Sequence, residues 1–347
     1  MKFGASKLWA ATAALLIAAS GASAQTVLRY SNWLPPTHTL KKTVFEPWGE
    51  EVARVTNGRV KVDMLPKVVG SVPGQLDVVR DGQADVSWIV NGYTPGRFTL
   101  SEIAELPFMG DDAEVTSPTF HRFYERHLAK YGEFKGVHVL STFPVGSGHI
   151  FLAKKQFRAV GDLKGMKMRN PQGSTLPIMA ALGAVPVQKP VTEMYELLSS
   201  GVVDGSFLNR EAVYGYKLLD ALPHLTLIPG GMYNTVLSLV INEKKWNEIS
   251  EADRRAIMGI SGEALATNIG KAYNRIDGEG VEALRKNGGT VEVASPQLMT
   301  DLKNTLRPVE QAWVEAAKKK GMADADKMLE EYRAMLAEAT KNRQAKK

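Results

Sequence analysis

Between Val27 and Leu65 the chain alternates strand, helix and strand over short connections, and that order is a βαβ unit. Val27-Leu28-Arg29-Tyr30-Ser31 reads as a strand, and Phe45, Trp48, Val52 and Val55 share one face of a helix that Asn57-Gly58 ends. Residues 59–65 alternate like a strand again. Such a unit implies a parallel sheet with helices packed on it. The pattern continues with a helix over 73–81 (Leu76, Val79) closed by Gly82, a strand over 84–90, a helix over 120–131 and a strand over 137–143. The expected fold class is α/β.

The first 24 residues stand apart from this pattern. Lys2 and Lys7 precede an apolar run over 8–19, and Ala22-Ser23-Ala24 follows, which is the make-up of a secretory leader cut before Gln25. The competing reading, a membrane anchor, needs about 20 apolar residues, and the run is shorter. A soluble, exported, periplasmic chain with no membrane insertion is expected. Losing the leader takes two lysines and no acid from 43 basic and 37 acidic residues, leaving a formal charge of +4 spread along the chain. Without a basic stripe, a nucleic-acid partner is not expected. The absence of cysteine excludes a disulfide framework, so an apolar core must hold the fold, and about 323 residues suffice for two domains.

Residues 162–211 hold the most informative chemistry. Met166-Lys167-Met168-Arg169 reads as a strand that stops at Asn170-Pro171, because proline lacks a ladder donor and restrains the residue before it. Arg169 thus ends a strand, where open α/β sheets bind ligands, and a guanidinium there can hold a carboxylate through two parallel hydrogen bonds. A solvated arginine in an ion pair is the alternative. A second strand-to-turn event is expected at Gly201-Val202-Val203-Asp204-Gly205. No nucleophile elbow, zinc motif, phosphate loop or dinucleotide fingerprint occurs, and the six histidines include no i, i+4 pair. No catalytic residue, metal site or cofactor is expected.

Gly165-Met166-Lys167-Met168-Arg169, Pro171, Ala181-Leu182-Gly183-Ala184-Val185-Pro186-Val187 and the Gly201 to Gly205 turn together resemble the extracytoplasmic solute-binding proteins of TRAP transporters. Glu105-Leu106-Pro107-Phe108 and the phrase from Val79 to Asp85 are similar to further motifs of that family. The resemblance implies a two-domain periplasmic-binding-protein-like fold with a ligand cleft between the domains and a long helix spanning both. It places domain I at 25–146 plus about 235–274, domain II at 147–234 plus about 275–330, and a solvated, lysine-rich helical tail at 331–347. It also implies a small organic acid as ligand and the membrane subunits of a TRAP transporter as partners.

Arg169 is the expected carboxylate holder, with Asn209 as helper. The turn Asn32-Trp33-Leu34-Pro35-Pro36 presents Asn32 and Trp33 at a strand end; Asn91, Tyr93, Tyr233 and Asn234 border other strands, and with His149 and Phe207 they complete the candidate ligand set. The chain departs from the family where it carries His149 in place of a second arginine and Phe207 in place of a polar residue. Aromatic residues at strand ends favour a monocarboxylate with an apolar or aromatic body. A dicarboxylate reaching a protonated His149, a sugar acid, a secreted α/β enzyme acting on a carboxylate, and a chemosensory receptor remain as alternatives.

Overall fold

The computed structural model describes residues 25–171 and 173–345, so the expected leader lies outside the described residues. Among these residues eleven strands follow in chain order: β1 Thr26–Ser31, β2 Val60–Met64, β3 Val86–Val90, β4 Val137–Pro144, β5 Gly148–Leu152, β6 Lys167–Asn170, β7 Val185–Gln188, β8 Gly205–Asn209, β9 His224–Leu227, β10 Val236–Asn242 and β11 Thr290–Val293. They form two sheets, β2-β1-β3-β10-β4 and β11-β9-β5-β8-β6-β7.

The βαβ reading holds at the start of each sheet. β1 pairs parallel with β2 and β3, and β6 pairs parallel with β7 and β8. Two strands break the parallel rule, and both have just arrived from the other sheet. β5 follows β4 across residues 145–147 and runs antiparallel to β8 and β9. β10 follows β9 across residues 228–235 and runs antiparallel to β3 and β4. A strand entering from the facing sheet runs away from the gap while its neighbours run towards it. The carboxyl ends of β1, β3, β6 and β8 and the amino end of β10 therefore meet between the two sheets.

A helix over Gly262–Lys286 bridges the two halves. Leu265, Ile269 and Tyr273 pack in the core under the first sheet with Trp48 and Trp88, while Val281 and Leu284 pack with Phe151, Leu208 and Leu225 under the second. Glycines let the bridge lie close: a β-carbon on Gly280 would stand 2.4 Å from the Arg210 carbonyl oxygen. Sequence pattern predicts one helical run from Ser250 to about Arg285. Ser250 does cap it, its Oγ accepting from Asp253 N at 3.1 Å, but the run breaks at Ser261, where Gly262 adopts φ +51°.

The C-terminal segment departs from expectation. Rather than being solvated, the helix Ala325–Gln344 buries Leu329, Tyr332 and Leu336, with the Tyr332 ring against Phe120 and Phe123. Arg343 Nε lies 2.6 Å from Asp112 Oδ2, and Arg343 Nη1 lies 2.7 Å from Glu114 Oε1. The lysine-rich composition describes only the outer face of a helix whose inner stripe is apolar.

Candidate ligand site

The strand ends enclose a cavity of about 60 Å³ between the sheets. Trp33 and Leu34 follow β1, Trp88 and Tyr93 belong to β3 and the turn after it, and Thr235 and Leu237 enter β10 from the first sheet's side. Arg169, Asn209, Glu211 and Tyr216 face it from the second, and Tyr273 comes from the bridging helix. A wider groove of about 790 Å³ lies elsewhere, between the C-terminal helix and the helix Ala113–Phe123. Its arginines Arg122, Arg126 and Arg343 already pair with Glu263, Glu331 and Glu114, and it touches none of the strand ends.

Arg169 is 2 % exposed. Its Nε donates to the Lys189 carbonyl at 2.8 Å, which fixes the guanidinium plane, and Nη2 reaches the Tyr93 hydroxyl at 3.5 Å. Among the described residues no carboxylate lies within 4 Å of it, unlike the paired arginines Arg29, Arg59 and Arg210. A buried cation without a counter-ion is costly to fold. Tyr93 O also accepts from Val191 N at 3.2 Å, so this hydroxyl from the first sheet's side joins two groups of the second.

The remaining predicted residues divide into cavity wall and scaffold. The Trp33 indole donates from Nε1 to the Trp88 carbonyl at 3.0 Å, and the two rings stack with centroids 4.6 Å apart. Both line the cavity, so Trp88 belongs to core and site at once. Asn209 lines it too, donating from Nδ2 to the Gly146 carbonyl. Asn32 shapes the turn instead: its Oδ1 accepts from Leu34 N at 3.0 Å, and it does not reach the cavity. Asn91 lies behind the wall, its Oδ1 accepting from Ser238 Oγ at 2.9 Å. Asn234 donates to the Gly110 carbonyl at 3.3 Å, and the Tyr233 ring covers Gly148. Neither lines the cavity.

His149 and Phe207 require correction. Both are strand residues whose side chains point into the core: Phe207 is 0 % exposed in the middle of β8, stacked on Tyr233 at 6.1 Å. The Gly201 to Gly205 segment is a turn leading into that strand, which makes Phe207 interior and Asn209 terminal. His149 Nδ1 accepts from Ile228 N at 3.0 Å, and Nε2 lies 3.2 Å from Ser147 Oγ. Burial, assisted by the Arg210 charge, holds the imidazole pKa well below its ordinary value, so it stays neutral and cannot replace a second cation.

Among the wall residues that sequence reasoning does not name, three carry ionisable groups: Tyr216, Tyr273 and Glu211. Tyr216 and Tyr273 have phenol pKa values raised well above normal by burial first and then by the negative charge of Glu211. Glu211 itself stands two residues after Asn209, so the strand-end argument that found Asn209 could have reached it. Tyr273 gave no signal, because an aromatic on the buried face of a helix reads as core.

Below the cavity, Asp277 on the bridging helix accepts from Glu211 N at 2.9 Å and from Arg210 Nη2 at 3.0 Å. Burial raises its pKa to about 6, with Arg210 opposing and Glu211 adding to the rise. The same carboxylate packs against Gly146 in the first crossing, and so ties crossing, helix and cavity wall together.

Residues 30–318 match the family model of the bacterial extracellular solute-binding proteins, family 7. The chain is similar to the crystal structure of a TRAP periplasmic solute-binding protein from Bordetella bronchiseptica with bound (R)- and (S)-mandelate. That likeness has a TM-score of 0.87 at 37 % identity and covers 90 % of this chain and 99 % of that one. A TRAP solute-binding protein from a marine metagenome, described as specific for aromatic acids and co-crystallised with 3-hydroxybenzoate, gives 0.85 at 30 % identity, covering 91 % and 99 %. A Comamonas testosteroni protein described as the outer membrane transporter protein TsaT is 33 % identical over 94 % of this chain and 97 % of its own.

Proposed function

Because the chain belongs to family 7 of the bacterial extracellular solute-binding proteins, the receptors of TRAP transporters, we propose that its ligand is an aromatic monocarboxylate held by Arg169 between the two lobes. The observation that carries this reading is a buried guanidinium with no carboxylate partner among the described residues, in a cavity walled by Trp33, Trp88, Tyr93, Tyr216 and Tyr273. Cation and rings match the two halves of such an acid: an anionic end, and a flat apolar body that aromatic walls cover with few rotors to order. Relatives that hold mandelate and 3-hydroxybenzoate support the same class. A dicarboxylate with its far end on His149 loses support, since that imidazole is neutral and buried in the core.

The lobes divide by sheet, at the crossings 145–147 and 228–235 and along the bridging helix. A cavity known to take a benzene ring measures about 150 Å³, well above the present volume of about 60 Å³. The acid therefore enters with the lobes apart, and they close on it less fully than they close on each other. The Tyr93 hydroxyl, shared by Arg169 and Val191, is the contact that forms across the gap on closing. The leader of residues 1–24 exports the chain to the periplasm with cleavage near Ala24, and the closed form is passed to TRAP membrane subunits. Among the described residues no helix is long and apolar enough to cross a membrane.

A thermal-shift screen tests the ligand class. Mandelate and 3-hydroxybenzoate at one hundred times their dissociation constants are expected to add about 2.7 kcal/mol, a rise of roughly 4 °C. Succinate and glucuronate are expected to leave the melting temperature unchanged. A rise with succinate or glucuronate alone would overturn the aromatic reading, and acid recovered chemically altered after incubation would favour an enzyme.

A further inference from the structure

The cavity holds a second charge. Glu211 is 8 % exposed and lines both the cleft cavity and a neighbouring crevice of about 220 Å³ next to His38. Arg169 and Glu211 thus share one cavity, yet no ion pair joins them: Glu211 Oε2 lies 3.3 Å from His38 Nε2 instead. The backbone N–H of Leu40 donates to His38 Nδ1 at 3.3 Å, which leaves the ring proton on Nε2, a buried atom with no hydrogen-bond partner among the described residues. Glu211 Oε1 has no hydrogen-bond partner among the described residues. The carboxylate is near enough to the Tyr216 and Tyr273 hydroxyls, both in the cavity wall, to raise their pKa values.

We propose that Glu211 is a specificity-determining residue: it selects acids that carry a hydroxyl on the ring or side chain and rejects acids that carry a second carboxylate. The inference rests on the aromatic-acid reading above. A ligand filling this cavity presents its anion to Arg169 and its remaining polar group to an acceptor-only carboxylate, which accepts a hydrogen bond from a hydroxyl and repels another anion. His38 Nε2 stands 3.3 Å from one carboxylate oxygen without hydrogen-bonding to it, so the carboxylate has a neighbour on the side away from Arg169 and none of its acceptor capacity is taken up among the described residues. A site built around such a buried acceptor discriminates strongly against analogues that leave it unpaired.

Titration calorimetry with benzoate, the three hydroxybenzoates and the three benzenedicarboxylates, on the parent and on Glu211→Gln, tests this. In the parent, the best hydroxybenzoate is expected to bind at least tenfold tighter than benzoate, and every dicarboxylate at least tenfold weaker. In Glu211→Gln both ratios should shrink to within about threefold. Because the readout is a ratio to benzoate, general loosening of the pocket cancels. Ratios that are equal in parent and variant, or a parent that prefers a dicarboxylate to benzoate, overturn the proposal, and the parent series alone decides if the variant does not fold. A parent that binds none of these acids overturns the aromatic-acid reading itself, and this inference with it.

Discussion

Exchanging Arg169 for alanine is expected to weaken the binding of mandelate or 3-hydroxybenzoate by between about thirtyfold and several thousandfold. Removing one partner of a buried, hydrogen-bonded charge pair costs about 2–5 kcal/mol, and each 1.4 kcal/mol is tenfold in affinity. The carboxylate would be left in a wall of indole and phenol rings with no other cation among the described residues that line the cavity; His149 is neutral and Arg210 is committed to Asp277. Arg169→Lys should also lose affinity although the charge is kept. Lysine has neither the second parallel donor nor an Nε–H to hold the Lys189 carbonyl. Calorimetry on both variants checks this, and an alanine variant that binds as tightly as the parent would remove Arg169 from the site.

Gly146→Ala is expected to act through the scaffold. A β-carbon there would sit 2.0 Å from Asp277 Oδ2 and 2.8 Å from its Cγ, too close for any real contact. Asp277 cannot step aside freely, because it is fully buried and holds both Glu211 N and the Arg210 guanidinium. Either the first crossing lifts off the bridging helix, or the carboxylate abandons its partners. Overpacking of this kind costs about 3 kcal/mol, which for a chain of this size lowers the melting temperature by roughly 5 °C. The Gly146 carbonyl also accepts from Asn209, a cavity residue, so affinity for the acid should fall with stability. A variant that melts and binds like the parent would show that the close approach of crossing and helix does not exist in solution.

Much of this arrangement was legible in the sequence, and the reasons for the rest are physical. The position of Arg169 near a strand end is legible because proline follows its strand, and that of Trp33 in a turn because tandem prolines follow it. The βαβ order gave the parallel halves but not β5 or β10, since the direction of a strand that arrives from another sheet is a property of the crossing, not of its residues. Phe207 was misjudged by two positions: reading the Gly201 to Gly205 segment as the end of a strand, when it is the start of one, turns an interior residue into a terminal one. His149 suffered the same way, because β5 begins at Gly148 and carries it inward. Tyr216, Tyr273 and Glu211 converge on the cavity from a turn and from a helix distant in sequence, and no local pattern reports such a meeting.

The most direct test is a crystal structure of the chain grown with mandelate. The acid is expected between the two sheets, its carboxylate on the Arg169 guanidinium and its ring against Trp33 and Trp88, with the Tyr93 hydroxyl still bridging the lobes. Mandelate bound outside the cleft, or inside it with the carboxylate turned away from Arg169, would contradict it.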